Sequence, residues 1–408
     1  MLSSDQRSLM AQLLKNRTAA ADAKNSILQP NSADRFLPFP LTDVQQSYLA
    51  GRGSGMDLGG TATRGYQEFD IKNLDPRRYE HAWLCVIARH DTLRTIINAD
   101  ATQQVLPKIP SWKLLVKNLR NLPTAQQNLA LDAVRQEMTK TVTDPQVWPL
   151  FDVRISLLDH GLARVHLGID ALLLDASSFP ILLEELQFFY DHPDAVLPEP
   201  ELRFRDYVLA LEASKHEPEF ARARDYWLKR LPTLAPAPEF HGTSTLREED
   251  RHFRRYSLVW PLAEWQAMER KAAHMGITGA FVLLAAYAEV IRLWNRYCDF
   301  TLSISRFNRV NLHPGVPKIL GDFTDILLLE CRCPSGSTLL DRAQLLQQQF
   351  WQDMEHARFN GVQVIRELRQ IRPDSAAMPV AFTDILKAGD IGQSARLGGE
   401  ELELRHAH

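Results

Sequence analysis

Basic residues are not in surplus in this chain. Its 408 residues carry 47 Lys and Arg against 50 Asp and Glu, a net charge of −3. Nothing is left over to neutralise a phosphate backbone, so nucleic acid is not expected as a partner. Cysteine is scarce: Cys85, Cys298, Cys331 and Cys333 are the four. They form no CxxC pair and no His/Cys ligand spacing, so no metal is expected, and the thiols suit a reducing compartment. Long apolar runs are lacking. The most apolar stretch, Ile277 to Trp294, carries Glu289 and Arg292 and reads as a buried helix, not a membrane span. The opening MLSSDQRSLMAQLLKNR has no apolar core and is no signal peptide. A cytoplasmic protein without membrane contact is expected. GxGxxG, GxxxxGK[ST] and GxSxG motifs are also missing, which removes the common nucleotide cradles and the nucleophile elbow. Gly51-Arg52-Gly53-Ser54-Gly55 is glycine-rich but follows no strand, and it reads as a mobile loop.

What is present is an ordinary globular composition, 45% hydrophobic and 24% charged. The length suits two lobes. Residues 1–35 look peripheral: one short amphipathic helix, then a small, polar linker. Pro76 to Leu93 has helical periodicity. Val153 to Ile169 reads as two strands joined at Asp159-His160-Gly161. FPILLEELQFFY is a helix opened by Ser177 or Ser178, with Pro180 in its first turn. After the proline-rich break at 191–200 the style repeats. RRYSLVW is a strand, PLAEWQAMERKAAHMG a helix ending at Gly276, and TGAFVLLAAYAEVIRLWNR a buried helix. DFTLSIS and DILLLECRC are strands. Strands alternating with helices imply α/β layers.

The unusual segment is HLGIDALLLDASSF. Asp170 and Asp175 sit among Ile169, Leu172, Leu173 and Leu174, and carboxylates there must be paired, hydrogen-bonded or protonated. Five residues on a helix is about 140° of rotation, so a helix does not aim both at one point, whereas a strand end and its loop can. Two readings stay open: Asp175 caps a turn while Asp170 pairs with an arginine, or the two form an acid/base pair. His166 sits in a strand and reads as a satisfied core histidine; His406 and His408 read as solvated.

Several segments together resemble the heterocyclization domains of nonribosomal peptide synthetases, in the condensation-domain superfamily. Phe39-Pro40-Leu41-Thr42 with Gln45, Tyr48, Gly51 and Arg52 is similar to FPLTxxQxxYxxGR. Arg89-His90-Asp91-Thr92-Leu93-Arg94 resembles RHxxLR. Asp170, Asp175 and Ser178 match DxxxxDxxS. Leu283 to Val290 resembles the LLAAYAEVL helix. Phe307-Asn308-Arg309, Gly321-Asp322-Phe323-Thr324 and Pro379-Val380-Ala381-Phe382-Thr383 resemble FNR, GDFT and PVVFT. The matches run in family order.

The resemblance implies two chloramphenicol-acetyltransferase-like α/β lobes in a V: a linker at 1–35, one lobe at 36–200 and a second at 201–408. It implies amide formation between a carrier-bound acyl thioester and carrier-bound Cys, Ser or Thr, then cyclodehydration to a thiazoline or oxazoline. Upstream and downstream carrier domains would deliver substrates on phosphopantetheine arms, beside an adenylation domain, with no intrinsic cofactor. Ordinary condensation domains carry HHxxxDG; aligned on the last Asp, this chain has Asp170, Ala171 and Asp175, so no imidazole stands at Ala171. Asp175 is implied to pair with Arg309, in a direct bidentate contact. Thr383, with Asn308 as contributor, is implied at the dehydrating step, and Asp170, Ser178 and Thr383 in one tunnel. The chain departs from the family in two ways. Asp384 follows Thr383 where the family usually has Ser. The tail GGEELELRHAH does not resemble the family segment that supplies a later catalytic Asp, so the second lobe reads as truncated. A catalytically impaired docking or scaffold domain, or a stand-alone acyltransferase of the superfamily, are the alternatives.

Overall fold

The computed structural model describes residues 28–53, 60–240, 255–373, 377–385 and 396–407. The helix expected near Leu9–Leu14, Ser54 and Gly55 of the glycine-rich loop, and His408 lie outside them. The chain forms two compact units. A linear reading cuts it once, after residue 200. The contacts instead cut it between Glu212 and Ala213, and they return Phe307–Thr324 and the C-terminal strands to the first unit. Sheet pairing is blind to sequence order, so a late segment can complete an early sheet.

The first unit is built on a five-stranded sheet of order β13-β2-β7-β6-β5. The strands are β2 (Arg64–Lys72), β5 (Leu115–Asn118), β6 (Phe151–Leu157), β7 (Leu162–Asp170) and β13 (Glu403–Ala407). The β6–β7 hairpin turns at His160 (φ 56°) and Gly161 (φ 71°), where the polar Asp-His-Gly tripeptide tolerates left-handed backbone. Period-two alternation then sorts the sheet into two faces. Phe69, Ile71, Val153, Ile155, Val165, Leu167 and Ile169 face α2 (Pro76–Arg89) and α4 (Phe179–Asp191). Asp75 caps α2 by accepting from the Arg77 N–H at 2.8 Å. Trp83, fully buried, stacks on Phe151 at 5.6 Å between centroids. Side chains of this size each contribute about 1.5–3 kcal/mol on burial.

The opposite face is charged and is covered by α3 (Thr124–Lys140), whose Val134 and Met138 pack on Tyr66. Buried Glu68 accepts both arms of Arg135 at 2.6 and 2.8 Å. Asp70 accepts from Arg164 and from Arg405 of β13, each at 2.7 Å. His166 bonds the Tyr66 hydroxyl through Nδ1 at 2.8 Å and Ser156 through Nε2 at 3.1 Å. It is the satisfied core histidine expected. His406 is not solvated: it lies partly buried in β13, 6.3 Å from the Tyr66 ring.

The reading of 1–35 as peripheral shifts here. Leu28 is already buried with Phe39, Phe204 and Tyr207. Arg35 pairs with buried Asp91 at 2.5 Å, in a hub that Arg94 and Arg203 complete.

The second unit holds a three-stranded sheet, β10-β8-β9, with β8 (Phe300–Phe307), β9 (Thr324–Cys331) and β10 (Ala381–Thr383). α8 (Gly279–Trp294) packs Phe281, Leu284, Ala288 and Ile291 onto Phe300, Leu302 and Leu327–Leu329. Capping boxes start α9 (Leu339–Glu355), at Thr338 and Asp341, and α10 (Gly361–Ile371), at Asn360 and Gln363. α7 (Leu262–His274) stops before Gly276, whose φ is +75°. The strand expected at RRYSLVW is absent: Arg255–Trp260 has no regular structure, and Leu258 and Val259 are 90% exposed. β propensity becomes a strand only where an edge accepts it. No single helix among the described residues is long and apolar enough to cross a membrane.

Candidate active site

The DxxxxDxxS segment begins where β7 ends. Asp170 is completely buried. One oxygen accepts the Leu172 N–H at 3.0 Å; the other meets the Arg52 guanidinium and, at 3.4 Å, the Thr143 hydroxyl. Arg52 closes the helix α1 (Asp43–Gly51) as its C-cap residue. That helix starts with a capping box. Thr42 accepts from the Gln45 N–H at 3.1 Å, and Gln45 Oε1 accepts from the Thr42 N–H at 2.9 Å. The Gln45 side-chain amide then donates to the Leu172 carbonyl at 2.7 Å. So the first motif clamps the aspartate segment at both ends of one short helix. The T-x-x-Q spacing is a sequence-level helix start.

Asp175 caps a single 3-10 turn, Ala176–Ser178, by accepting the Ser178 N–H at 2.8 Å. The same oxygen accepts the Ser178 hydroxyl at 2.7 Å; the other accepts the Ser177 hydroxyl at 2.8 Å and the Phe323 N–H at 3.3 Å. Neither serine caps α4 with its side chain, because both hydroxyls are taken here. Asp175 and Arg309 form an ion pair at 3.6 Å, but not the bidentate contact expected. The two serines stand between them. Arg309 donates from Nε to Ser177 Oγ at 3.0 Å and from Nη2 to Ser178 Oγ at 2.8 Å. Its Nη1 donates to the Val316 and Ile319 carbonyls at 3.1 and 2.7 Å, and its guanidinium lies 4.0 Å above the Phe323 ring. Burial pulls its pKa down from the ordinary arginine value, and the Asp175 charge opposes that.

The GDFT segment completes the cage. Gly321 accepts from the Asp175 N–H at 3.1 Å, and its carbonyl, 2.8 Å from Ser178 Oγ, shares the single hydroxyl proton with Asp175. A Cβ on Gly321 would stand 2.2 Å from the Phe204 ring, so only glycine brings this carbonyl to the serine. Tyr48 hydrogen-bonds Thr324; burial first, then the nearby Asp322, Asp175 and Asp170 charges, raise its phenol well above the usual range. It stays a neutral hydroxyl under the influence of three carboxylates. Asn308 is held by its backbone: its N–H donates to the Phe323 carbonyl at 2.8 Å and its carbonyl accepts from Tyr207 at 2.9 Å.

The blander of the two aspartate readings is therefore the geometry observed: Asp175 caps a turn and Asp170 pairs with an arginine. Asp170 and Ser178 are both 0% exposed, so neither side chain lines an open cavity. Thr383 and Asp384 belong to the second unit. Thr383 ends β10, opposite Ser305 of β8, and Thr383 and Asp384 are exposed. RHxxLR is a packing hub. Arg89 and His90 both bind Glu185 of α4, at 2.9 and 2.6 Å, and the Thr92 hydroxyl donates to the Leu320 carbonyl at 2.7 Å. No cluster of three or more His, Cys, Asp or Glu suited to a metal occurs among the described residues.

This constellation has counterparts. The condensation-domain family model matches residues 68–381. The cyclization–docking bidomain EpoB of a Sorangium cellulosum nonribosomal peptide synthetase superposes with a TM-score of 0.79 at 32% identity, covering 95% of this chain and 79% of that one. The chain belongs to the condensation-domain family, in its cyclization branch. Its two α/β lobes are of the chloramphenicol-acetyltransferase type. Pyochelin synthetase PchF of Pseudomonas aeruginosa is 34% identical over 364 residues, 89% of this chain and 20% of that protein. Phenyloxazoline synthase MbtB of Mycobacterium tuberculosis is 33% identical over 361 residues, 87% of this chain and 25% of that protein. The chain thus spans a quarter or less of these two curated relatives.

Proposed function

We propose that this condensation-type domain joins a carrier-bound acyl thioester to carrier-bound Cys, Ser or Thr and then cyclodehydrates the product. The single observation that carries the reading is the filled DxxxxDxxS cage. Its carboxylates are consumed by Arg52, Ser177, Ser178 and, through the serines, Arg309, and Ala171 offers no imidazole. The segment is suited to hold two motif loops in place, not to take a proton from an amine. Amide formation then rests on positioning: the amine attacks the thioester carbonyl, the C–S bond breaks, and the donor arm leaves as a thiol.

The second stage needs more. The side-chain thiol or hydroxyl adds to the new amide carbonyl. The resulting hydroxyl leaves as water, and the ring nitrogen gives up its proton as the C=N bond forms. Hydroxide leaves only if protonated, a service worth about 10²–10⁴ in rate. The exposed Thr383 hydroxyl and Asp384 carboxylate are the groups we assign to that step. Asp170, Asp175, Ser178 and Arg309 are positioning residues in this scheme. Carrier domains bring both substrates on phosphopantetheine arms, with an adenylation domain loading the acceptor.

The test supplies an acyl-carrier donor and a cysteinyl-carrier acceptor and reads product mass. A product lighter than the amide by one water, with thiazoline absorbance, is expected. Uncyclized amide from the unaltered chain would remove the cyclodehydration, and no amide at all would leave a docking or scaffold role.

A further inference from the structure

Strand β8 of the second unit has one polar face. Phe300, Leu302 and Ile304 belong to the core of that unit, so period-two alternation turns Thr301, Ser303 and Ser305 to the other side. β10 runs parallel to β8, with Ala381 opposite Ser303, Phe382 opposite Ile304 and Thr383 opposite Ser305. Phe382 packs on the same core as Ile304. Thr383 therefore stands on the polar face, beside Ser305.

The hydroxyls of this face divide into two sets. Thr301 is fully buried and donates to the Ala235 carbonyl at 2.7 Å. Ser303 is buried too and donates to the Met378 carbonyl at 2.9 Å. These two tie flanking segments to the sheet. Ser305 is half-buried and Thr383 is exposed, and neither hydroxyl has a hydrogen-bond partner among the described residues. Two unengaged donors thus lie side by side on adjacent strands, within reach of a substrate. Their spacing suits one oxygen. Neighbouring strands are about 4.8 Å apart, and an O–H···O bond spans about 2.7–2.8 Å. An oxygen held by both hydroxyls receives them at roughly 120°, near the two lone-pair directions of a carbonyl oxygen.

We propose that Ser305 is a second catalytic hydroxyl, closing with Thr383 on the oxygen of the amide that is cyclized. The role rests on the cyclodehydration proposed above. As the thiol or hydroxyl of the acceptor adds to the amide carbon, a C–S or C–O bond forms and the C=O π pair moves onto the oxygen. Both hydroxyls donate to that oxygen while its charge grows, where such donors count most. The proton of the attacking group and the amide N–H proton then leave with it as water.

The test uses the full chain and an acyl-cysteinyl carrier whose amide carbonyl is labelled with carbon-13. It reads the carbonyl chemical shift of the bound amide and the rate at which that amide closes to the thiazoline. The carbonyl should move downfield on the wild-type chain, as two hydrogen bonds polarise it. Ser305→Ala should lose part of that displacement and slow ring closure about 10²–10³-fold, the scale of one lost donor to a developing oxyanion. Its Tm should stay within about a degree, since no hydrogen bond of the fold is broken. Ser305→Thr keeps a hydroxyl and should recover most of both readings. Ser303→Ala breaks a buried hydrogen bond and should lower Tm while the carbonyl shift holds, which separates the structural hydroxyls of this face from the catalytic ones. A carbonyl shift that is the same in wild type and Ser305→Ala, or no displacement by the wild-type chain, overturns the proposal. A Ser305-dependent shift on a wild-type chain that closes no ring would overturn the functional reading and leave the paired hydroxyls standing.

Discussion

Ser178 shows how one small side chain can carry more structure than the charges around it. Its hydroxyl touches Asp175, Gly321 and Arg309 at once, within 2.7–2.8 Å. Ser178→Ala removes the relay between the carboxylate and the guanidinium and leaves buried groups short of partners. It should cost about 2–3 kcal/mol in urea unfolding, and Ser177→Ala, at a less buried hydroxyl, should cost less. His166 makes a second prediction, in pH. Burial holds its imidazole down at about 4, against 6.5 when unfolded. Between those values the unfolded chain binds a proton that the folded chain refuses, so stability falls as pH drops from about 6.5 to about 4. The loss is on the order of 3 kcal/mol at the low end. His166→Gln should flatten stability over that window, measured by denaturant midpoints at successive pH values. Glu68 beside it has its pKa lowered in the fold, and its contribution is lost at still lower pH, so it does not mask the histidine.

At the scale of elements, the segment before β1 (Phe39–Pro40) is integral. Leu28 is buried and Arg35 binds Asp91. Asp91 keeps Arg94 and Arg203 when Arg35 is removed, so its charge is not orphaned. Deleting 28–35 from a chain that starts at Leu28 should still cost about 3–5 kcal/mol, from one buried leucine and a charge-assisted pair. An unchanged Tm would show that the segment only rests on the surface. β13 is the other element whose position the chain order hides. It covers the edge of β2 and brings Arg405 to Asp70. A short strand of Glu, Leu, Arg, His and Ala does not announce its partner, since its own alternation is weak and the pairing is with residues more than three hundred positions earlier.

For the molecule as a whole, stability and chemistry should come apart by site. Asp175→Asn disturbs a buried cap, two serines and an ion pair. It should lower Tm by several degrees and reduce amide and heterocycle together. Thr383→Ala and Asp384→Ala lie at an exposed strand end. They should leave Tm within about a degree, since exposed substitutions rarely exceed 0.5 kcal/mol, while product stops at the uncyclized amide. Equal loss of Tm in both sets would show that Thr383 is a structural residue.

Much of this was written in residue order. Period-two alternation in Val153–Ile169 and the Asp-His-Gly turn specified the β6–β7 hairpin. The 3.6 period specified α2, the apolar run carrying Glu289 and Arg292 specified α8, and the ordered motifs specified the family. These signals are local, and local sterics and side-chain burial decide them. Which groups meet was not local. The sequence held Asp175 and Arg309 but not the two serine hydroxyls between them. It held Arg52 without showing that it closes on Asp170, and Arg255–Trp260 with strand propensity but no edge to join. The tail's return to the first sheet and the burial of Asp170 belong to the same class. Each depends on contacts between segments far apart in the chain, where free energy is settled by which donors and acceptors are left over once the cores have packed.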